Sequence, residues 1–213
     1  MARAGEKSAS AAANVPDWSL GKNSGSDIES EYFHGLAGCI VDRWPDNAAA
    51  LVVSFPDSAE QHAVAEKLME NAGLCVFSGQ IRMQPSRLRG AIAEALLKKG
   101  HKPLRAAWLS AGETPDSLLA KLSHGHMRLS PQLLRALTGR VAAFCAVREK
   151  RPLVEALLRT PTGSRKEQAA LMSLNPTLSR CLGLRLMRFE IAGAVRAYLA
   201  EALYWQRGVE GAA

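Results

Sequence analysis

No window of this chain approaches the roughly eighteen uncharged apolar residues that a membrane-spanning helix requires. The most apolar segment, Leu182 to Trp205, is broken by Arg185, Arg188, Glu190, Arg196 and Glu201; it can lie on a membrane surface but not cross one. Cysteine is also scarce. Cys39, Cys75, Cys145 and Cys181 stand far apart, with no CxxC pair, which excludes a cysteine-dense secreted scaffold. The spacing predicts four free, mostly buried thiols in a reducing compartment. The N-terminus carries Arg3 and Lys7 but no apolar core of signal-peptide length, so the expected location is cytoplasmic.

The usual signatures of catalysis are missing too. There is no GxSxG, no GxxxxGK[ST] phosphate loop, and no cysteine in a recognisable nucleophile setting. Paired carboxylates are absent from any apolar context. The nearest approach is TPTGSRK, Thr160 to Lys166, where a helix N-terminus with Ser164, Arg165 and Lys166 could hold a phosphate. Its plainer role is a capping loop, with Ser164 or Thr162 capping the next helix and Glu167 completing a capping box. His124 and His126 form a His-x-His pair, but no third and fourth ligand lie nearby, so no metal is expected. No cofactor is expected either, and the chain reads as a binder rather than an enzyme.

What is present is material for a proper core. With 213 residues, 47% hydrophobic and 22% charged, the chain can form one ordinary domain or two small ones. Its formal charge of +7 hides a split. Residues 1–80 hold 5 Lys+Arg against 11 Asp+Glu, net −6, and the remaining 133 hold 22 against 9, net +13. A region that basic attracts polyanions, whether nucleic acid, anionic lipid or an acidic protein surface. The acidic region is itself a candidate intramolecular competitor.

The periodicity predicts a mainly α fold, a multi-helix bundle. Residues 1–26 read as a flexible Ala/Ser/Gly tail. Residues 27–84 form an acidic region: a helix from Ser26 to Trp44 stopped by Pro45, a capped helix from Asp57 to Gly73, and apolar runs at 48–55 and 74–83. Two readings stay open for these runs, a small βαβ piece over 48–84 or an all-helical arrangement. A basic region follows at 85–148 and a C-terminal helical region at 149–213. Later helices are expected at Pro85–Lys99, Pro103–Ala111, Thr114–Leu122, Pro131–Arg148, Pro152–Arg159, Arg165–Ser173 and Thr177–Arg207, with proline starting several of them.

Four segments in 86–144 carry a resemblance: SRLRGAIAEALLKKG, KPLRAAWLSAG, TPDSLLAKLSHG and RLSPQLLRALTGRV. In order and spacing the stretch resembles the helix-turn-helix domains of phage-repressor type. The resemblance implies a DNA-associated regulator whose third helix enters the major groove. It implies that Thr114, Asp116, Ser117 and Lys121 face bases. Lys102, Arg105, Lys121, His124, His126 and Arg128 are then available for phosphates. The turn SAGETPD is longer than usual for such a domain, and the third helix begins with an acidic residue and offers a single lysine to base edges. The alternative is a protein-interaction module, such as an adaptor, an inhibitor or a translocated effector, with no nucleic-acid role. The last helix, with Leu182, Leu186, Phe189, Gly193 and Ala197 on its apolar stripe, could instead supply a homodimer seam.

Overall fold

The computed structural model describes residues 25–75, 85–124, 131–181 and 192–211. Eight helices occur among them: α1 (Gly25–Arg43), α2 (Pro45–Val53), α3 (Ala59–Ala72), α4 (Pro85–Lys98), α5 (Pro115–Ser123), α6 (Pro131–Leu158), α7 (Arg165–Cys181) and α8 (Ala192–Glu210). The expected tail (1–26) lies almost wholly outside the described residues.

Helix boundaries follow local chemistry. Pro45 ends α1 because it cannot donate an amide hydrogen, and it opens α2 from N1, where that donor is not needed. Ser58 caps α3 by accepting the Gln61 amide at 3.0 Å. Thr114 and Ser117 form a reciprocal capping box at the start of α5. After α4 the chain turns at Gly100, where φ is +73°, a value that glycine adopts without a Cβ clash.

Three expectations are corrected. The run 48–55 is not a strand: most of it belongs to α2, which buries Ala48, Ala49, Leu51 and Val52. No strand occurs among the described residues, so the βαβ piece is not formed as expected, although most of the second run falls outside those residues. Apolar periodicity cannot separate a short buried helix from a strand, and here Pro45 at N1 decides for the helix. The helix expected over Pro103–Ala111 is instead a strap of irregular backbone and turns between α4 and α5. Pro176 sits inside α7, which continues to Cys181, so the final helix does not start at Thr177. The break expected between Pro131–Arg148 and Pro152–Arg159 is present: α6 comprises two helical segments that meet at Lys150, whose backbone is non-helical (φ −138°, ψ 40°), just before Pro152.

One continuous core draws on every helix. It includes Ile40 of α1, Val52 of α2, Leu68 of α3, Ile92 of α4, Leu118 of α5, Phe144 of α6, Leu174 of α7 and Trp205 of α8. Helix α8 is central, packed against both α4 and α6, and Leu199, Ala200, Ala202, Leu203, Tyr204 and Trp205 along it are all buried. Of the expected stripe, Ala197 is buried, while Leu182, Leu186 and Phe189 lie outside the described residues.

The cysteine expectation is overturned. Cys39 of α1 is bonded to Cys75 just beyond α3, and Cys145 of α6 to Cys181 at the end of α7, each pair 5.8 Å apart at Cα. Both pairs are separated by 36 residues. Sequence spacing carries no sign of such pairing, because helix packing alone brings the partners together.

Candidate functional site: an aromatic groove with a basic rim

The site is built at the C-terminal end of α2. A helix end leaves its last carbonyls without intrahelical donors, and here side chains from three other segments supply them. Arg89 of α4 donates to Val52 O and Ser54 O, both at 2.7 Å. Trp205 of α8 donates its indole N–H to Val52 O at 2.8 Å, and Trp108 of the strap does the same to Val53 O at 2.9 Å. A cation and two indoles thus complete the negative end of the helix dipole. The same hydrogen bonds fix the rings in a ladder: Phe55 meets Trp108 edge to face at 5.3 Å, and Trp108 meets Trp205 at 5.0 Å.

Outward from this ladder lies a shallow groove of about 750 Å³, lined by Phe55, Trp108, Ala120, Lys121, Ser123 and His124. Its lining is mostly apolar and includes Lys121 and exposed His124. The structure therefore brings together two of the expected phosphate-contacting residues. Lys102 and Arg105 are exposed on the strap. His126 and Arg128 lie outside the described residues.

The chemistry of α5 differs from that implied for a base-reading helix. Thr114 and Ser117 are engaged with each other in the capping box, and Ser117 also donates its hydroxyl to Glu113. Lys121 pairs with the Glu113 carboxylate and reaches Trp108 O at 3.3 Å. Burial works to raise the Glu113 pKa, but the hydrogen bonds from Lys121 and Ser117 outweigh it and hold the group below its usual range. Asp116 remains exposed at the first turn. Across the strap a smaller concavity of about 320 Å³ is bordered by Glu113, Arg148, Arg151, Gln206 and Glu210. Its charges are mutually engaged, Arg151 with Glu210 at 2.7 Å and Arg148 with the Glu113 carbonyl.

Sequence reasoning missed two buried ionic clusters behind the groove. In the first, Arg89 and Arg140 of α4 and α6 flank Glu201 of α8, with Arg140 reaching Asp57 at 3.4 Å. Arg89 Nε and Glu201 Oε1 approach to 2.5 Å without hydrogen-bond alignment. Burial pulls the Arg89 pKa down to about 10, with Arg140 adding to the effect against the pull of Glu201, so it stays charged at neutral pH. In the second cluster, Arg196 of α8 grips Glu94 of α4 with two parallel bonds, 2.9 and 2.7 Å, and reaches Glu167 of α7 at 2.9 Å. His34 of α1 lies 3.0 Å from the same Glu94. Burial alone would raise the Glu94 pKa; hydrogen bonds from Arg196 and His34 reverse this and hold it far below the carboxylate range. The available signal was phase. Arg89 lies four residues before Ala93 and seven before Leu96 on the buried side of α4, and Glu201 sits within the buried run of α8.

Near TPTGSRK, Ser164 caps α7 as expected, while Glu167 reaches back to the amide one residue before the cap instead of closing a capping box. Ser164 accepts the Glu167 amide at 3.1 Å, and Glu167 accepts the Gly163 amide at 2.6 Å. Comparison with protein-family models, curated proteins and solved structures finds no match.

Proposed function

We propose that this chain is a non-catalytic binding protein that takes an anionic partner, DNA being the first candidate, at the groove beside Trp108. The observation that carries the reading is the joint placement of two aromatic residues, Phe55 and Trp108, with Lys121 and His124 along one groove, where Lys121 would have to exchange its Glu113 partner for a phosphate. Aromatic faces next to cations suit unpaired bases joined by phosphates. This favours contact with backbone and exposed bases over reading of base edges by Thr114 and Ser117, whose hydroxyls are engaged in the cap. Charge supports the same direction. Burial removes Arg89, Arg140 and Arg196 from the basic region, but also Glu94, Glu113, Glu167 and Glu201, so the exposed balance stays basic. Lys102 and Arg105 on the strap extend it.

A second reading, a protein-interaction module that meets an acidic protein surface, is favoured by the two disulfides. Such bonds persist in oxidising compartments. On this second reading the folded chain works in an oxidising compartment, as an inhibitor of an acidic partner there. No helix among the described residues is long and apolar enough to cross a membrane.

Titration of labelled single-stranded and random duplex DNA against the full chain at increasing salt separates the readings. DNA association predicts steep loss of affinity, with a log–log slope of about 0.7 per phosphate for single strands and about 0.9 for duplex. It also predicts preference for the single strand and weakening by Trp108→Ala. Absence of binding at low salt by the folded protein leaves the protein-interaction reading.

A further inference from the structure

We propose that Cys145, Cys181 and Glu149 form a metal site for a thiophilic divalent cation such as zinc, which replaces the disulfide when the pair is reduced. Glu149 lies one helical turn beyond Cys145 on α6, and Cys181 ends α7 opposite them. The carboxylate Oε1 stands 3.7 Å from Cys145 Sγ and 4.0 Å from Cys181 Sγ. All three ligand atoms fall within 4.8 Å of one another. A tetrahedral zinc, with bonds of about 2.3 Å to sulfur and about 2.1 Å to oxygen, asks for sulfur-to-oxygen separations of about 3.6 Å. The third ligand is thus already near coordination distance from both sulfurs. Opening the bond needs only the sulfurs to part, to about 3.8 Å in the same geometry.

Arg180 strengthens the assignment. Its guanidinium holds the other carboxylate oxygen, Oε2, leaving Oε1 turned toward the cysteines, as outer groups commonly orient a ligating carboxylate. The charges balance as well: two thiolates, one carboxylate, one guanidinium and a divalent cation sum to zero. Cys39 and Cys75 provide an internal contrast, since no carboxylate completes a comparable group around them among the described residues.

The chemistry is a two-step exchange. A dithiol reductant attacks the Cys145–Cys181 bond and leaves as its own cyclic disulfide, giving two cysteine thiols; the cation then displaces two protons and binds both thiolates with Glu149. A water fills the fourth position. The site pins α6 to α7 in either state, by a disulfide under oxidising conditions and by a metal under reducing ones. The assignment is independent of what the groove binds.

The test uses the full chain carrying Cys39→Ser and Cys75→Ser, reduced with a dithiol that is then removed without oxygen, and titrated with Co²⁺. Expected are one equivalent bound, a thiolate-to-cobalt charge-transfer band with tetrahedral visible bands, and displacement by Zn²⁺. Glu149→Gln should weaken binding by at least about tenfold, since altering even the outer partners that orient metal ligands costs about 10–100-fold, and Cys145→Ser should abolish the band. The oxidised chain should bind none. Absence of the band in the reduced chain, equal affinity in Glu149→Gln, or equal binding by the oxidised chain each overturns the proposal. Circular dichroism guards against misfolding: loss of helix on reduction that cobalt does not restore also counts against it.

Discussion

Arg196 shows how much a single residue holds together here. Its guanidinium, nearly inaccessible to solvent, bonds Glu94, Glu167 and the carbonyls of Leu158 and Thr160, and so joins α8 to α4, α7 and the turn after α6. Removing one member of a buried ionic group strands the others without water. Arg196→Ala should therefore cost about 3–5 kcal/mol, read as a lower urea midpoint, and Arg196→Met with Glu94→Gln should recover much of that loss. Glu94 also makes stability depend on pH. Its folded pKa lies far below the ordinary value of 4.5, so as pH falls below 4.5 the unfolded chain takes up a proton that the folded chain refuses. The contribution is complete above that value and is lost progressively on acidification. Unfolding midpoints from pH 6 to pH 3 should fall, and Glu94→Gln should flatten the profile.

Elements are set by local chemistry but docked by small residues. Gly90 of α4 faces Ala197 of α8 so closely that an added Cβ would lie 2.3 Å from the Ala197 Cβ and 2.5 Å from its Cα. Both are parts of a rigid helix, so the helices themselves must separate. Gly90→Ala is expected to lower stability by about 1–3 kcal/mol through overpacking, as a reduced Tm. Gly35 of α1 has open space around it. Gly35→Ala should instead stabilise by about 0.5–1 kcal/mol through lower backbone entropy in the unfolded chain. The pair of variants separates helix propensity from helix docking in the same assay. At the same scale, the strap over 101–114 shows why α5 was legible and its predecessor was not. Thr114 and Pro115 announce a helix start, whereas KPLRAAW has helical composition but spends Trp108 and Leu109 on the core and never completes a helical turn.

For the whole molecule, two disulfides each close 36 residues of sequence. The chain-entropy relation for a loop of that size gives about 4 kcal/mol per bond, an upper expectation since folded-state and unfolded-state effects intervene. Reduction in the presence of a metal chelator should therefore lower the urea midpoint markedly, and replacing either pair by serine should reproduce part of the loss; an unchanged midpoint would show that the bonds contribute nothing. The charge split also changes meaning at this scale. Asp42 pairs with Lys99 and Asp57 with Arg140, while Asp46, Glu60, Glu66 and Glu70 remain exposed. Contact between the acidic and basic regions is thus made at particular points of a shared core, rather than by one charged face covering another.

The sequence by itself determined most helices, because their starts and stops are local: Pro45, Ser58, Thr114 and Gly100 act within a few residues of where they stand. It also located Lys121 and His124, which line the groove, within the basic region. Only the tertiary structure decided which groups meet. The pairing of four cysteines, the burial of Arg89, Arg140 and Arg196 against Glu94, Glu167 and Glu201, and the placing of Trp108 beside Phe55 all join residues far apart in the chain. Their free energy arises from removing water around two partners at once, and neither partner's local sequence carries a record of the other.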